Sequence, residues 1–282
     1  MNRKELKIAI QGVQACFHDV AARKYFDQAT VTPVECVSFP VLCKTLDQRG
    51  ADYAVMAIEN TIAGSILANY SLLQSYGFKI LGETYLRIEM SFMALADQEI
   101  SDIRFVQSHP MAILQCQDFL STLDNIKLVE ASDTAESAKE IKERNLIGYA
   151  AIASKLAAQT YGLEVLQTNI ETDRHNFTRF LTLCRNENYQ RPIGANKASF
   201  RFEVKHEPGS LAQVLTLFSQ YSLNMTKIQS TPIIGKPYQY GFHVDVEWDD
   251  VAQYEEAMVK VRQQTINFIH FGEYQRGVKP SA

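Results

Sequence analysis

Short apolar runs alternate with amphipathic segments along the first 185 or so residues of this 282-residue chain. The runs predict strands at residues 6–10, 53–58, 78–81, 90–95, 105–106, 126–129, 147–150 and 180–183. A capping box at Asp133 and Glu136 marks the start of one predicted helix, and Gly162 marks the end of another. This alternation predicts an α/β domain with a largely parallel sheet.

The pattern changes near residue 186. Residues 186–196 are polar, contain Pro192 and Gly194 and have no period, which is typical of a linker. Beyond them, strands are predicted at residues 198–204, 225–228, 240–246 and 266–271, with helices that begin after Pro208-Gly209-Ser210 and at Val251. The order β-α-β-β-α-β predicts a ferredoxin-like unit.

Composition and charge favour a soluble globular protein. Hydrophobic residues make up 46% of the chain, charged residues 21%, and the net charge is −4, without the basic face expected of a nucleic-acid binder. No apolar run approaches the ~20 residues that span a membrane, and no leader precedes the first strand. The chain has an odd number of cysteines, five, and no two of them have C-x-x-C spacing. The sequence therefore predicts neither a disulfide framework nor a zinc site. A cytoplasmic protein is the simplest expectation.

Polar residues cluster where predicted strands end or begin. In open α/β sheets, ligands bind beyond the carboxyl ends of the strands, where helix N-termini favour anions. The clusters are Gln11-Gly12 with Cys16 to Asp19, Glu59-Asn60-Thr61 followed by a helix cap at Gly64-Ser65, Ser108-His109-Pro110, and Asn176 to Phe180. Together they predict a cleft for a small polyanion. Taken singly they are ordinary: turn chemistry, a helix cap, a core histidine and a loop entering an edge strand.

The absence of several common motifs limits the cofactors and reaction types that the sequence supports. The chain has no G-x-G-x-x-G after its first strand, no Walker A loop, no G-x-S-x-G elbow and no H-E-x-x-H. We therefore expect no nucleotide cofactor and no metal, and a reaction that depends on positioning and acid assistance.

Four blocks of the sequence stand out: AIENTIAGSI (57–66), SHPMAILQC (108–116), AAIASKLAAQTYGLEVL (150–166) and HNFTRFLTL (175–183). They resemble blocks of the prephenate dehydratases, in the same order, and the resemblance extends along essentially the whole chain. The segment EPGSLAQVLTLFSQYSLNMTKIQSTP (207–232) is similar to ACT domains. The N-x-T-R-F block is the most specific of these, because in the family it is tied to catalysis.

The resemblance implies the conversion of prephenate to phenylpyruvate in phenylalanine biosynthesis. It implies a periplasmic-binding-protein-like catalytic domain of two α/β subdomains with a cleft (1–185), a linker (186–196) and an ACT domain (197–282). It also implies L-phenylalanine as an effector, and a homodimer or homotetramer. The catalytic residues it implies are Thr178, Arg179 and Phe180, and the substrate-binding residues are Asn60, Thr61, Ser108, His109, Asn176, Cys16, His18 and Glu59. The regulatory residues it implies are Pro208, Gly209, Ser210, Leu211, Ala212, Asn224, Gln229 and Ser230.

We expect Thr178 to hydrogen-bond the leaving hydroxyl and Arg179 to hold a carboxylate, both facing the cleft. The chain departs from the family pattern at Cys16 and His18, which stand where the first block has threonine and serine. Cys16 is the poorer donor, and His18 becomes an alternative acid. Gln229-Ser230-Thr231-Pro232 replaces the family's E-S-R-P element, a departure that bears on regulation.

Other functions fit the same sequence. An arogenate dehydratase would act on the amino acid counterpart of prephenate. A sensor would bind a small molecule in the cleft without turnover. An oligomerisation module would carry a degenerate catalytic half. Comparing rates on prephenate and arogenate separates the first, and binding without turnover would identify the second.

Overall fold

The computed structural model describes residues 4–233 and 235–280. Its strands are β1 (Glu5–Gln11), β2 (Thr30–Cys36), β3 (Tyr53–Asn60), β4 (Gly64–Ser65), β5 (Lys79–Arg87), β6 (Ser91–Ala94), β7 (Phe105–Ser108), β8 (Lys127–Glu130), β9 (Tyr149–Ala153), β10 (Glu164–Thr168), β11 (Phe177–Cys184), β12 (Lys197–Glu203), β13 (Asn224–Ile233), β14 (Lys236–Glu247) and β15 (Ile266–Tyr274). Its α-helices are α1 (Phe17–Tyr25), α2 (Phe39–Asp47), α3 (Leu67–Tyr76), α4 (Pro110–Gln115), α5 (Gln117–Leu120), α6 (Thr134–Glu143), α7 (Lys155–Tyr161), α8 (Ser210–Gln220) and α9 (Val251–Gln264).

The chain divides into two compact units. The first contains residues 4–66, 84–180 and 279–280, and the second contains Leu67–Glu83 and Leu181–Val278. Helix α3 therefore groups with the C-terminal part of the chain, although its sequence lies between strands of the predicted catalytic domain.

Two mixed sheets contain strands β1 to β11, which confirms the predicted α/β class. One has the order β2-β1-β3-β11-β5, with β4 added to β3, and the other has the order β10-β6-β9-β7-β8. Strand β1 is parallel to β2 and β3, and β7 is parallel to β8 and β9, whereas β6 is antiparallel to β9 and β10. Strand β11 lies between β3 and β5, so the HNFTRFLTL block does not form an edge strand.

The ends of the helices test three predictions made from the local sequence. The side chain of Asp133 accepts hydrogen bonds from the N–H groups of Ala135 and Glu136, which confirms it as the cap of α6. Gly162 adopts the left-handed conformation that ends α7. The predicted helix cap at Gly64-Ser65 is wrong: these residues pair antiparallel with Glu59 and Asn60 as β4, and α3 begins later.

Strand β2 escaped prediction because its sequence, TVTPVEC, is broken by a proline and mixes polar with apolar residues. Proline lacks the N–H that a central strand needs, so it is tolerated at a sheet edge, and β2 is the outermost strand of its sheet. By contrast the predicted strands β1 and β3 are apolar throughout their centres. Ile8, Ile10 and Val55 are fully or almost fully buried, as expected of parallel strands covered on both faces.

The second unit contains the predicted β-α-β-β-α-β order as β12-α8-β13-β14-α9-β15. Its strands form an antiparallel sheet in the order β13-β14-β12-β15. Phenylalanines at 200, 202, 218 and 268 pack into its core, and Trp248 stacks on Tyr254 with ring centroids 3.7 Å apart. The segment predicted as a linker is fixed at Tyr189, whose hydroxyl donates to the carbonyl of Glu273.

Among the residues described, no helix has the length and apolar character needed to cross a membrane. The predicted cytoplasmic location stays a prediction.

Candidate active site

A cavity of about 310 Å³ lies in the first unit. Strands β1, β3 and β11 of the first sheet and helices α1, α2, α4 and α6 contribute residues to its wall. The lining residues are Gln11, Cys16, Phe17, His18, Phe39, Ala57, Asn60, Ala63, Ile66, Ile88, Met90, His109, Met111, Ala112, Gln115, Ser132, Asp133, Thr134, Thr178 and Phe180. A mainly apolar wall with a few convergent polar groups is typical of small-molecule sites.

Asn60 and Thr178 form the central hydrogen bond of the cavity. Asn60 ends β3 and Thr178 stands near the start of the neighbouring β11. The side-chain oxygen of Asn60, Oδ1, accepts hydrogen bonds from the backbone N–H groups of Ile62 and Ala63, both at 2.9 Å. These two bonds fix the orientation of the side-chain amide. Its Nδ2 therefore points toward β11 and donates to Thr178 Oγ1 at 2.9 Å.

This arrangement leaves the Thr178 proton available. Within the described part of the chain, Thr178 Oγ1 accepts from Asn60 but has no acceptor for its own O–H. A threonine hydroxyl both donates and accepts, so the bond from Asn60 directs the unused donor away from Asn60. Thr178 lines the cavity, and its proton is thus offered to a ligand there.

Asn176 and Thr61 hold this pair in place from behind the wall. Asn176 is fully buried, and its Oδ1 accepts from Asn60 Nδ2 at 2.7 Å. Thr61 Oγ1 donates to the carbonyl of His175 at 2.8 Å and accepts from the N–H of Phe177 at 2.9 Å. Neither residue is among those that line the cavity, and both are bonded to groups of β3, β11 or the segment just before β11.

The Ser108-His109-Pro110 segment splits between two roles. His109 lines the cavity and caps α4, since its Nδ1 accepts from the N–H of Met111 at 3.2 Å. Ser108 is fully buried and donates to the carbonyl of Ile152 at 2.6 Å, so its hydroxyl joins two strands. The structure does not bring Ser108 to the cavity.

Cys16 and His18 both line the cavity, and both are neutral. Burial raises the pKa of the Cys16 thiol well above its ordinary value, and the nearby Asp133 carboxylate adds to the effect. Burial lowers the pKa of His18 to about 4. Its Nε2 accepts from the N–H of Ala57 at 3.3 Å, so the ring is a neutral imidazole at pH 7 and not a ready acid.

Arg179 lies on the other face of its strand. Side chains alternate along a strand, and both Thr178 and Phe180 line the cavity, so Arg179 between them points away from it. The structure thus corrects the expectation that Thr178 and Arg179 face one cleft side by side. Glu59 is likewise absent from the wall, where its strand neighbour Asn60 is present.

The predicted substrate-binding residues omitted five polar residues of the wall: Gln11, which belongs to the first predicted cluster, and Gln115, Ser132, Asp133 and Thr134. Gln115 is the penultimate residue of the SHPMAILQC block, and Asp133 caps a predicted helix, so the sequence contained a signal for both. Helix N-termini that follow parallel strands point toward the ligand edge of a sheet, which could have placed Asp133 there. Among the described residues, no cluster of three or more His, Cys, Asp or Glu side chains could hold a metal ion.

The predicted regulatory residues lie in the second unit. Gly209, with a φ of 83°, precedes α8, and Ser210, Leu211 and Ala212 form the first turn of that helix. Asn224, Gln229 and Ser230 belong to β13, the outer strand of its sheet, and Pro208 is exposed.

The family model for prephenate dehydratase matches residues 8–188. The chain belongs to the prephenate dehydratase family. It is similar to "Arogenate dehydratase/prephenate dehydratase 2, chloroplastic" of Arabidopsis thaliana, with 35% identity over 269 residues, 89% of this chain and 68% of that protein.

Two solved structures are also similar. The prephenate dehydratase of Arthrobacter aurescens in complex with L-Phe has a TM-score of 0.85 and 26% identity, covering 98% of this chain and 92% of that one. GqqA, described as a novel type of quorum quenching acylase, has a TM-score of 0.84 and 28% identity, covering 96% of this chain and 98% of that one.

Proposed function

We propose that this chain converts prephenate to phenylpyruvate, with loss of carbon dioxide and water, as a step of phenylalanine biosynthesis. The bond from the ring to its carboxylate breaks, and the electron pair enters the ring. The carbon–oxygen bond on the opposite ring carbon then breaks, and the departing hydroxide takes up a proton to leave as water. No electrons are exchanged with a cofactor, so the protein must supply orientation and positioned hydrogen-bond donors.

The observation that carries this proposal is the directed hydroxyl of Thr178. Because Asn60 donates to Thr178 Oγ1, the Thr178 proton is offered to the cavity as the cyclohexadienol hydroxyl departs. A threonine hydroxyl is a weak acid, so it acts as a donor or relay and not as a free proton source. Phe180, two residues along the same face, adds an apolar wall beside the ring.

The remaining polar groups of the wall orient the substrate. We assign the substrate carboxylates to the amides of Gln11 and Gln115 and to the N-terminus of α1, where Phe17 and His18 line the cavity. Arg179 has no direct substrate contact in this proposal because it points away from the cavity. Asn176, Thr61 and Ser108 position the elements that carry the contacting groups.

Replacement of Thr178 tests the proposal. Thr178→Val keeps the shape but removes the hydroxyl, and we expect the rate of phenylpyruvate formation to fall about 10²–10⁴-fold. Thr178→Ser keeps the hydroxyl and is the matched control, expected to retain most of the rate. Circular dichroism of both variants shows whether the fold is intact. An unchanged rate in Thr178→Val would move the donor elsewhere, and no turnover by the native chain would overturn the proposed function.

An acylase function is less well supported by this cavity, despite the similarity to GqqA. Acyl transfer through the enzyme needs an activated nucleophile with a base beside it. Burial raises the pKa of the Cys16 thiol, which disfavours a thiolate. Thr178 Oγ1 accepts from an amide and has no base as hydrogen-bond acceptor within the described residues.

For the C-terminal part, we propose an ACT regulatory domain at 197–282, joined through 186–196 to a catalytic domain at 1–185. The strand order of its sheet and the left-handed turn at Gly209 before α8 support this. We further propose L-phenylalanine as effector, with Pro208 to Ala212, Asn224, Gln229 and Ser230 as candidate contacts, and a homodimer or homotetramer. Calorimetry with L-phenylalanine and its D enantiomer, together with light scattering, tests these points. Equal heats for the two enantiomers, or a monomer, would contradict them.

A further inference from the structure

The charge of the cavity wall does not match a dianion. Asp133 contributes a carboxylate, and no lysine or arginine is among the described residues that line the cavity. Prephenate carries two carboxylates and no cation. A like charge in a partly buried site weakens the binding of such a ligand.

The Asp133 carboxylate is held at the wall with one oxygen in use and one unused. Its Oδ1 accepts from the N–H groups of Ala135 and Glu136 at 2.8 and 3.1 Å. Its Oδ2 accepts no hydrogen bond from any residue that the structure describes. Gly12 permits this placement, because a Cβ atom at Gly12 would lie 2.7 Å from Asp133 Oδ2.

The surroundings do not compensate this carboxylate fully. Burial is the largest influence on Asp133 and raises its pKa, as does the nearby Glu136, whereas the two backbone hydrogen bonds and His109 lower it without cancelling the rise. The charge therefore gains from a cation placed beside it in the cavity. Helix capping alone does not require the charge, since asparagine caps a helix about as well as aspartate.

We propose that Asp133 determines substrate choice at this site by pairing with a substrate ammonium group, so that the cavity favours arogenate over prephenate. Arogenate is the amino acid counterpart of prephenate and differs from it by an ammonium group in place of the keto oxygen. The inference rests on the proposed dehydration reaction, which is the same for both substrates. It assigns to one carboxylate a preference that the sequence left open.

The test compares kcat/KM for arogenate and prephenate in the native chain, in Asp133→Asn and in Glu136→Gln. Asp133→Asn keeps the helix cap and removes the charge, and Asp133→Ser is a second uncharged cap. Glu136→Gln removes the same charge from the first turn of the same helix at an exposed position outside the cavity wall.

We expect the native chain to prefer arogenate by about tenfold or more, the effect of one partly buried charge pair. Both Asp133 variants should lower the ratio of the two kcat/KM values by a similar factor, with prephenate turnover rising, and Glu136→Gln should keep the native ratio. A native preference for prephenate, or an unchanged ratio in both Asp133 variants, overturns the inference while leaving the dehydratase function in place. Turnover of neither substrate overturns both.

Discussion

Buried polar groups are bonded differently in the cavity and in the second unit. In the second unit, Lys197 Nζ lies 2.9 Å from Glu83 Oε1 and 3.1 Å from Glu247 Oε1. Glu83 Oε1 also accepts from the N–H of Gly277 at 2.9 Å. In the cavity, by contrast, Thr178 accepts one hydrogen bond and leaves its proton without an acceptor among the described residues.

The two regions differ in whether their polar groups find all their bonding partners within the protein. The Lys197 cluster contains a cation facing two carboxylates, so every charge has an opposite charge within the protein. The cavity holds Asp133 Oδ2 and the Thr178 hydroxyl, each with capacity that the described residues do not fill. A buried polar group whose bonding is complete specifies the fold, whereas one with a free donor or acceptor at a cavity wall is available to a ligand.

Removal of Lys197 is the strongest test of the first half of this comparison. Lys197→Met leaves Glu83 and Glu247 facing each other without their cation, and the lysine side chain is 1% exposed. We expect the free energy of unfolding of the second unit to fall by about 3–5 kcal/mol, the cost of breaking a buried pair on one side. Trp248, the single tryptophan of the chain, lies in this unit and reports its urea unfolding by fluorescence.

Lys236→Met is the matched control. Its Nζ lies 3.7 Å from Glu203 Oε2, but the side chain is 48% exposed, so the same replacement should cost less than about 1 kcal/mol. If the two variants lose equal stability, the Lys197 cluster is solvated, and its bonding would not differ in kind from that of a surface pair.

Asn60→Asp tests the second half, in the cavity. Aspartate keeps the acceptor for Ile62 and Ala63 but replaces the donor to Thr178 by an acceptor. The Thr178 hydroxyl should then donate to the introduced carboxylate and turn away from the substrate. We expect kcat for phenylpyruvate formation to fall about 10²-fold, the lower end of what a positioned donor contributes.

A double-variant cycle shows whether Asn60 acts through Thr178. If it does, Asn60→Asp combined with Thr178→Val should be no slower than Thr178→Val alone. Losses that multiply in the double variant would give Asn60 a separate role, such as direct contact with the substrate.

The sequence predicted much of this cavity because its blocks fall at strand termini: Asn60 ends β3, His109 follows β7 and Thr178 lies near the start of β11. Asn60, His109 and Thr178 come from distant parts of the chain, and the structure brings them to one wall, as the rule for open α/β sheets predicts. Spacing along a strand limits such reasoning. Thr178 and Arg179 are adjacent in sequence, yet alternation puts them on opposite faces, and a block match carries no information on which face is covered.

Residue type alone also does not show which hydroxyl groups line the cavity. Ser108 and Thr61 are as suited to substrate as Thr178, but each is used by a backbone group of a neighbouring segment. Which hydroxyl remains available depends on the pairing of strands far apart in sequence. The same holds for the grouping of α3 with the second unit, which follows from long-range contacts that no local pattern encodes.

His18 offers a pH test of the cavity. Its ring makes edge contacts with Phe39 and Phe180, with ring centroids 5.5 and 5.1 Å apart, and its Nε2 accepts from the N–H of Ala57. Protonation would place a donor against that N–H. Burial accordingly lowers the pKa of His18 to about 4 in the folded chain, below the value of 6.5 for an unperturbed histidine.

Between these two values the unfolded chain binds a proton at His18 that the folded chain does not. Stability present above pH 6.5 is therefore lost as pH falls from 6.5 toward 4. From pH 7 to pH 5, we expect the free energy of unfolding of the native chain to fall by about 2 kcal/mol more than that of His18→Gln. Urea denaturation followed by circular dichroism at the two pH values measures this difference.

His175→Gln serves as the control, because it makes the same replacement at a histidine whose ring is 71% exposed and lies outside the cavity wall. Equal pH dependence in the native chain and in His18→Gln would show that the folded chain accepts a proton on His18. That outcome would restore His18 as a proton donor at the cavity wall and weaken the assignment of the leaving-group donor to Thr178. The expected outcome keeps His18 neutral through the working pH range, and Thr178 then remains the donor that the native bonding leaves free for the substrate.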